Sequence, residues 1–322
     1  MYFRRSKVMN EPLILAPVLQ EKIWGGKKLH DVFGYDLPSD KTGEAWAISA
    51  HPNGPSIVKN GPYQGMTLAE VWDQHREVFG NEKGDVFPLL TKILDAADDL
   101  SVQVHPDDQY GMEHEGELGK TECWYVIDAD EGAEIIYGHH AQTKEELEQM
   151  ILDGKWDALL RRIKVKNGDF FFVPSGTIHA IGGGITILET QQSSDTTYRV
   201  YDYDRKDDQG NTRELHVQQS VDVTTVPHVD PTPEMNIEEQ KEATITTFVK
   251  TSFFDVYKWE VSGKANFVAT APYTLISVLD GNGKLIVEAG EYELTKGTHL
   301  ILPNDIKEWT IEGNLEIIAS NS

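Results

Sequence analysis

Two stretches of the chain set out polar groups at spacings that can do chemistry. In SVQVHPDD (Ser101 to Asp108), Val102 and Val104 alternate with Gln103 and His105. That is the period-two pattern of a strand, so an amide and an imidazole share one face before Pro106 ends the run. In GDFFFVPSGTIHAI a strand runs to Pro174, the chain turns at Ser175 and Gly176, and His179 opens the next strand. A cation inside a protein needs neutral imidazoles and hard oxygens converging from stiff elements. Each residue alone also has a plainer reading, because a lone strand histidine is ordinarily a hydrogen-bonded core group.

The second stretch resembles the second cupin motif: Gly, five residues, then Pro-x-Gly-x-x-His, with Gly183 where Asn is usual. The first cupin motif supplies His-x-His and later Glu; here QVH stands at that place, and Glu122 follows after a longer spacer. The resemblance implies a metal set of Gln103, His105, Glu122 and His179, drawn from three separate segments. A Gln oxygen in place of a third imidazole hardens the set and leaves a position open for water or substrate. His114, His139 and His140 are rival ligands, but their loop-like settings point to the surface.

In this order, LSVQVHPDD, GKTECWYV, PSGTIHAI and ETQQSSDTTYRVYDYDR resemble type I phosphomannose isomerases, above all their short bacterial form; GEAWAISAHPNGPS nearer the start agrees. The resemblance runs from about residue 10 to the end and is tightest from 85 to 205. It implies a metal-dependent aldose–ketose isomerase that interconverts mannose 6-phosphate and fructose 6-phosphate through an enediol. One divalent metal ion is implied, zinc first, with manganese and iron as other occupants. The active-site arginine and lysine carry over onto Arg199 and Lys120, and pocket acids onto Glu44, Glu189 and Asp195. The phosphate-binding positions carry over onto Ser101, Lys92 and Arg205. Arg199 would stabilise charge developing on oxygen. Glu189 is the first candidate for the base, with Lys120 or a metal-bound water as rivals.

Two departures matter. Ile23 precedes Trp24 where longer members carry an acid, and their separate helical domain between the metal Glu and the second His is represented only by the region near 143–163. Plainer readings also stand beside the implied ones. Lys92 in an apolar strand can snorkel to the surface; Lys120 can be a loop lysine, Arg199 and Arg205 partners of nearby carboxylates, and Asp195 part of a turn. Trp24 and Trp46 read as core aromatics. IGGGI (Ile181 to Ile185) lacks a following helix, so its glycines read as turn geometry and close backbone approach to the site rather than a phosphate loop. Two other functions fit the same barrel: a non-catalytic sugar-binding cupin and an iron cupin dioxygenase. Retention of all four ligands with the Lys and Arg speaks against the first, and Gln103 against the second.

The elements that must position these groups are short strands. LLTKILDA, LSVQVH, ECWYVIDAD, AEIIYG, GDFFFVP and ITILETQQ have strand character. Helical patterns fall near 67–80 and 143–163, where Thr67 with Glu70 and Thr143 with Glu146 have capping-box spacing. Residues 227–240 are polar and Pro-rich and read as a linker; beyond them FFDVYKWEV, YTLISVLDG, GKLIVEA, GEYELT, HLILP and LEIIAS are closely spaced strands. NGDFFFVPSGTIHAI and KGTHLILPNDIKEWT share Gly, five residues, then Pro, with Glu308 in the second at the place of His179. The expected fold is therefore mainly β: two cupin-type jelly-roll barrels with helical insertions in the N-terminal part. Residues 1–230 would form the catalytic metal-binding domain and 240–322 a smaller one without metal ligands.

Bulk composition bounds the rest. At about 150 residues per domain, 322 residues allow about two domains. With 29 basic and 53 acidic residues the net charge is −24, which repels nucleic acid and anionic membranes. An anionic phosphosugar substrate then needs local positive charge, which screening over about 8 Å permits. No apolar run is long enough to span a bilayer, and MYFRRSKVMN has no apolar segment after its basic residues, so it reads as an extension rather than a secretory signal, with Met9 an alternative start. The single Cys123 excludes an intrachain disulfide. These features point to the cytoplasm; nothing in the sequence sets the oligomeric state.

Overall fold

The computed structural model describes residues 10–206 and 209–322; the expected N-terminal extension, with Met9, lies outside the described residues. Two units form. One comprises 19–46 and 90–233; the other comprises the segments up to Val18, 47–89 and 234–322. One division falls between 233 and 234, and the segments 10–18 and 47–89 group with 234–322 rather than with 90–233. Strand Leu13–Ala16 shows why: it ladders onto His299–Leu302, with Leu13 opposite Ile301 and Leu15 opposite His299.

The unit of 19–46 and 90–233 contains two sheets. One has the order Phe170–Val173, Glu122–Ala129, Ile185–Gln192, Leu89–Ala96, Val18–Gly26, Thr42–Ile48. The other has the order Tyr198–Tyr201, Val102–Val104, His179–Ile181, Glu134–His139, Leu160–Lys164. Trp24, Leu94, Trp124 and Ile187 from the first sheet share a core with Ile135, Tyr137 and Ile181 from the second. The opposite face of the second sheet packs Val102, Val104, Ala180 and Val200 against Leu147, Ile151 and Val221. Those three belong to the helices Lys144–Leu152 and Val217–Val223. Val102, Val104 and Val200 are fully buried, each worth about 1.5–3 kcal/mol. A one-residue slip would expose them, so this apolar face fixes which residues point the other way: Gln103, His179 and Arg199.

Thr143 caps its helix by accepting from Glu146 N at 3.1 Å, but the Glu146 carboxylate reaches back to Gln142 N rather than to Thr143, so only half of the expected box forms. The helical region also ends earlier than the sequence suggests. Gly154 adopts φ +63 just past the first helix, a short second helix covers Trp156–Leu159, and Leu160–Lys164 is a strand with Ile163 opposite Ile135.

In the other unit the nine strands among the described residues run in the order Asn236–Glu239, Ala243–Lys250, Asp255–Val268, Glu308–Asn321, Thr274–Val287, His299–Leu302, Leu13–Ala16, Ile57–Val58, with Gly290–Thr295 paired to Thr274–Val287. The end of the supposed linker is thus an edge strand. YTLISVLDG and GKLIVEA form one strand, which crosses a register shift between Val278 and Asp280. Gly263, Gly313 and Gly283 stand opposite one another across three strands, where a Cβ on Gly283 would sit 2.3 Å from Glu312 O. This row lets the strands approach and bend. The full Thr67–Glu70 capping box opens the helix Leu68–Gln74. Glu308 is exposed, whereas Trp309 enters a core of Trp259, Phe267, Val278, Leu300 and Ile317.

Candidate metal centre and active site

Strand register brings the expected metal ligands together. Gln103 stands opposite His179 on one side and Arg199 on the other, and directly opposed residues project to the same face. Glu122 begins the strand Glu122–Ala129 of the facing sheet, opposite Gln191, and Glu189 lies opposite Trp124. The strand ends at Val104, and His105 and Pro106 follow it. The chain then turns through a helix capped by Asp107 and returns along Gly119 to Lys120, whose N–H bonds Pro106 O at 3.0 Å. Gly119 is required there, since a Cβ would lie 2.4 Å from the Asp107 carbonyl carbon.

His105, Glu122 and His179 are buried, and their ligand atoms all lie within 4.8 Å of one another. His105 Nδ1 meets Thr196 O at 2.9 Å and His179 Nδ1 meets Thr177 O at 2.8 Å. A carbonyl only accepts, so Nδ1 carries the proton in both rings and Nε2 is left as a lone-pair donor. His105 Nε2 lies 3.4 Å from Glu122 Oε2, and His179 Nε2 lies 3.3 Å from Glu122 Oε1. The Gln103 amide is 3.4 Å from His179 Nε2, and a half-turn of that amide presents its oxygen instead. His105 Nε2 and Glu122 Oε2 have no hydrogen-bond partner among the described residues, although both are buried. A cation bound to such donors at about 2.0–2.1 Å holds neighbouring donors roughly 3.0–3.4 Å apart. The orphaned atoms and their spacings fit a divalent metal ion.

The charges agree. Burial, then Lys120, pulls the His105 imidazole down to about 3, and burial lowers His179, so both stay neutral. Burial pushes the Glu122 carboxyl up, but Lys120, 3.5 Å away, and the imidazoles outweigh it and hold it well below the usual range.

A cavity of about 310 Å³ opens beside this cluster, lined among others by Gln103, Lys92, Ser101, Lys120, Glu189, Asp195, Arg199 and Glu44. Glu189 Oε2 accepts from Trp124 Nε1 at 3.2 Å, while Glu189 Oε1 is 3.5 Å from Lys92 Nζ and has no hydrogen-bond partner among the described residues. Burial, then the Glu122 charge, raises the Glu189 carboxyl to about 7. Glu44 accepts from Trp46 Nε1 at 2.7 Å and sits 3.3 Å from Lys22. Burial pushes Glu44 up, but Lys92 and Lys22 bring it to about 2. Burial alone would lower Lys92; Glu44 and Glu189 more than reverse that, so it stays charged inside the protein. Arg199 donates Nη1 to Glu214 O at 2.9 Å, and its Nε is buried without a hydrogen-bond partner among the described residues.

Arg205 is placed elsewhere. It does not line the cavity; it bonds Asp202 and the Asp99 carbonyl. Arg213, Lys22 and Thr197, which sequence reasoning passed over, line the cavity instead. Trp24 is a core aromatic that also reaches the cavity. Gly182 and Gly183 of IGGGI do meet backbone closely, but at Glu134 and Asp98, and they border a different hollow with Asp99 and Tyr203, whereas Gly184 meets the Asp130 side chain. Of the rival ligands, His114 and His140 are exposed, whereas His139 is buried against Thr225 O, contrary to its expected surface position.

Comparison with known proteins supplies independent findings. Residues 13–136 match the pattern described as phosphomannose isomerase type I, catalytic domain, and residues 244–322 that of mannose-6-phosphate isomerase, cupin domain. The chain is 63% identical to mannose-6-phosphate isomerase of Streptococcus mutans, over 98% of this chain and 99% of that one. It is 55% identical to mannose-6-phosphate isomerase ManA of Bacillus subtilis, over 97% and 99%. A crystal structure of the mannose 6-phosphate isomerase from Bacillus subtilis superposes with a TM-score of 0.95 at 55% identity, covering 97% of this chain and 99% of that one. No helix among the described residues is long and apolar enough to cross a membrane.

Proposed function

This chain belongs to the type I phosphomannose isomerase family, and we propose that the cavity beside the His105–Glu122–His179 cluster is where it interconverts mannose 6-phosphate and fructose 6-phosphate. The observation that carries this reading is the pair of orphaned, buried donors, His105 Nε2 and Glu122 Oε2, in a cluster joined through Gln103 and Lys120 to a cavity that holds Glu189 and Arg199. Gln103, His105, Glu122 and His179 would hold one divalent ion, zinc in our reading. When bound there, the ion supplies Lewis-acid stabilisation of oxygen charge.

The remaining chemistry is the chain's own. The reaction moves a proton from C2 to C1 and a hydroxyl proton from O2 to O1 through an enediol, and the carbon-bound proton needs a group that takes and returns it. Glu189 suits that task. One of its oxygens accepts from the Trp124 N–H, which is shared with Glu122, the other is unengaged by hydrogen bonds among the described residues, and a value near 7 makes the carboxyl a usable base and acid at neutral pH. A cation beside Glu122 works against the rise, which moves the acid limb of activity to about 7 or below. Arg199 faces the oxygen on which charge develops, its guanidinium steadied by the Glu214 carbonyl. Lys120 holds Glu122 ionised. Ser101 and Arg213 receive the phosphate. We assign Lys92 to Glu189 as its counter-ion, and Asp195 and Glu44 to the cavity wall.

In this reading the two sheets of 19–46 and 90–233 form one cupin-type barrel that carries the metal. The strands of 234–322 form a second, whose interior is filled by Trp259, Phe267 and Trp309 in place of ligands. We place the enzyme in the cytoplasm. The test is a coupled assay for fructose 6-phosphate on purified protein, before and after chelation and after zinc is restored. Activity that falls with chelation and returns with metal is expected. No product from metal-replete protein would overturn the reading and leave the sugar-binding or dioxygenase cupin.

A further inference from the structure

Asp202 follows the strand Tyr198–Tyr201 and is buried, its side chain 5% exposed. Its carboxylate accepts two bonds from Arg213, from Nε at 2.7 Å and from Nη2 at 2.5 Å, and a third from Arg205 Nη2 at 2.6 Å. Arg205 is anchored on its other flank by the Asp99 carbonyl and lies 3.6 Å from the Asp98 carboxylate. Of the two arginines only Arg213 lines the cavity, and its charge helps to depress Arg199, behind the larger effect of burial.

We propose that Asp202 is the positioning residue for the substrate phosphate: it clamps Arg213 by one edge at the cavity wall and leaves Nη1 for the phosphoryl oxygens, with Arg205 bonded to the same carboxylate from the other side. This rests on the phosphosugar reading of the cavity. The two-point grip matters because a guanidinium is a planar fork, and a fork already fixed loses less rotational freedom when it closes on an anion. The second arginine matters for position: held by the Asp99 carbonyl, Arg205 grips the same Asp202 carboxylate and fixes it against Arg213. Burial pushes the Asp202 carboxyl up, but the bonds from Arg213 and Arg205 outweigh it and keep it ionised. Arg205, expected from the family pattern as a phosphate ligand, acts here at one remove.

The test is Asp202→Asn in the metal-replete enzyme, with steady-state kinetics on mannose 6-phosphate and calorimetric titration with inorganic phosphate. KM and the phosphate dissociation constant are expected to rise together by about ten- to a hundredfold, the worth of one charge-assisted hydrogen bond, with kcat within about threefold of wild type. In an Arg213→Gln background the same substitution should add nothing further. If Asp202→Asn does not fold, Asp202→Glu keeps both ion pairs but shifts the carboxylate by one methylene, and must show the same split. A fall in kcat at unchanged KM, unchanged phosphate affinity, or full additivity with Arg213→Gln overturns the proposal. A wild type that binds phosphate through Asp202 yet makes no fructose 6-phosphate would instead sink the isomerase reading and leave the clamp standing.

Discussion

Lys92 separates two accounts of the cavity. Its ammonium lies 3.5 Å from Glu189 Oε1, and the side chain is 3% exposed. At that distance and an effective dielectric of about 20 the attraction is ~5 kcal/mol, or roughly 3.5 pKa units at ~1.4 kcal/mol each. Relaxation of the site and the neighbouring Lys120 reduce this, and at least about one unit should survive. Lys92→Met keeps the bulk and removes the charge, and Glu44 retains Lys22 at 3.3 Å. The sign is upward: losing a nearby cation disfavours the carboxylate, so the Glu189 value climbs from about 7. A base must be deprotonated to work, so the acid limb of kcat/KM should move to higher pH by the same amount. A metal ion lowers Glu189 in wild type and variant alike, so the difference between them persists. The assay is the pH profile of kcat/KM for mannose 6-phosphate from about pH 5.5 to 9. A limb that stays put while KM climbs tenfold refutes the argument; it would make Lys92 a phosphate ligand and take Glu189 out of the base role.

Two further substitutions test the other arms of the site. Arg199→Ala should lower kcat by about 10²–10³, as loss of one preorganised donor does, while metal content measured by elemental analysis stays at wild-type stoichiometry; parallel loss of metal would make Arg199 structural. His179→Ala removes an Nε2 donor 3.3 Å from Glu122, so it should abolish stoichiometric metal binding in a chelator-competition titration, and retention of bound zinc would refute its ligand role.

What the sequence made legible was local. Gln103 and His105 could be placed on one face because Val102 and Val104 alternate with them, and the structure buries those valines on the helix side as the alternation requires. His179 could be placed because Pro174 and Gly176 punctuate the turn before it; Gly176 adopts φ +82, where glycine is favoured. The illegible parts depend on pairing across long separations. Nothing near residues 160–164 reveals a strand until Ile163 finds Ile135. Nothing in 47–89 announces that it joins the strands of 234–322. The arginines show the limit most sharply. Arg205 and Arg213 both lie in polar, charged sequence, and which of them reaches the cavity is decided by how each approaches Asp202.

The same pairing resolves the tension between a chain of net charge −24 and an anionic substrate. The charged residues that line the cavity are Lys22, Lys92, Lys120, Arg199 and Arg213 against Glu44, Glu189 and Asp195, five cations to three carboxylates, a formal excess of two. A phosphate monoester carries about −1.5 to −2 at neutral pH. The cavity lining is therefore more positive than the chain as a whole, although Asp202 beside Arg213 and Glu122 beside Lys120 offset part of the excess, and screening over about 8 Å hides most of the acidic exterior from a molecule already inside. In the proposed mechanism a proton on Glu189 raises this excess further, which favours the anion. Under the proposed roles, binding and proton transfer would be coupled through Lys92, which Glu44 and Glu189 keep charged.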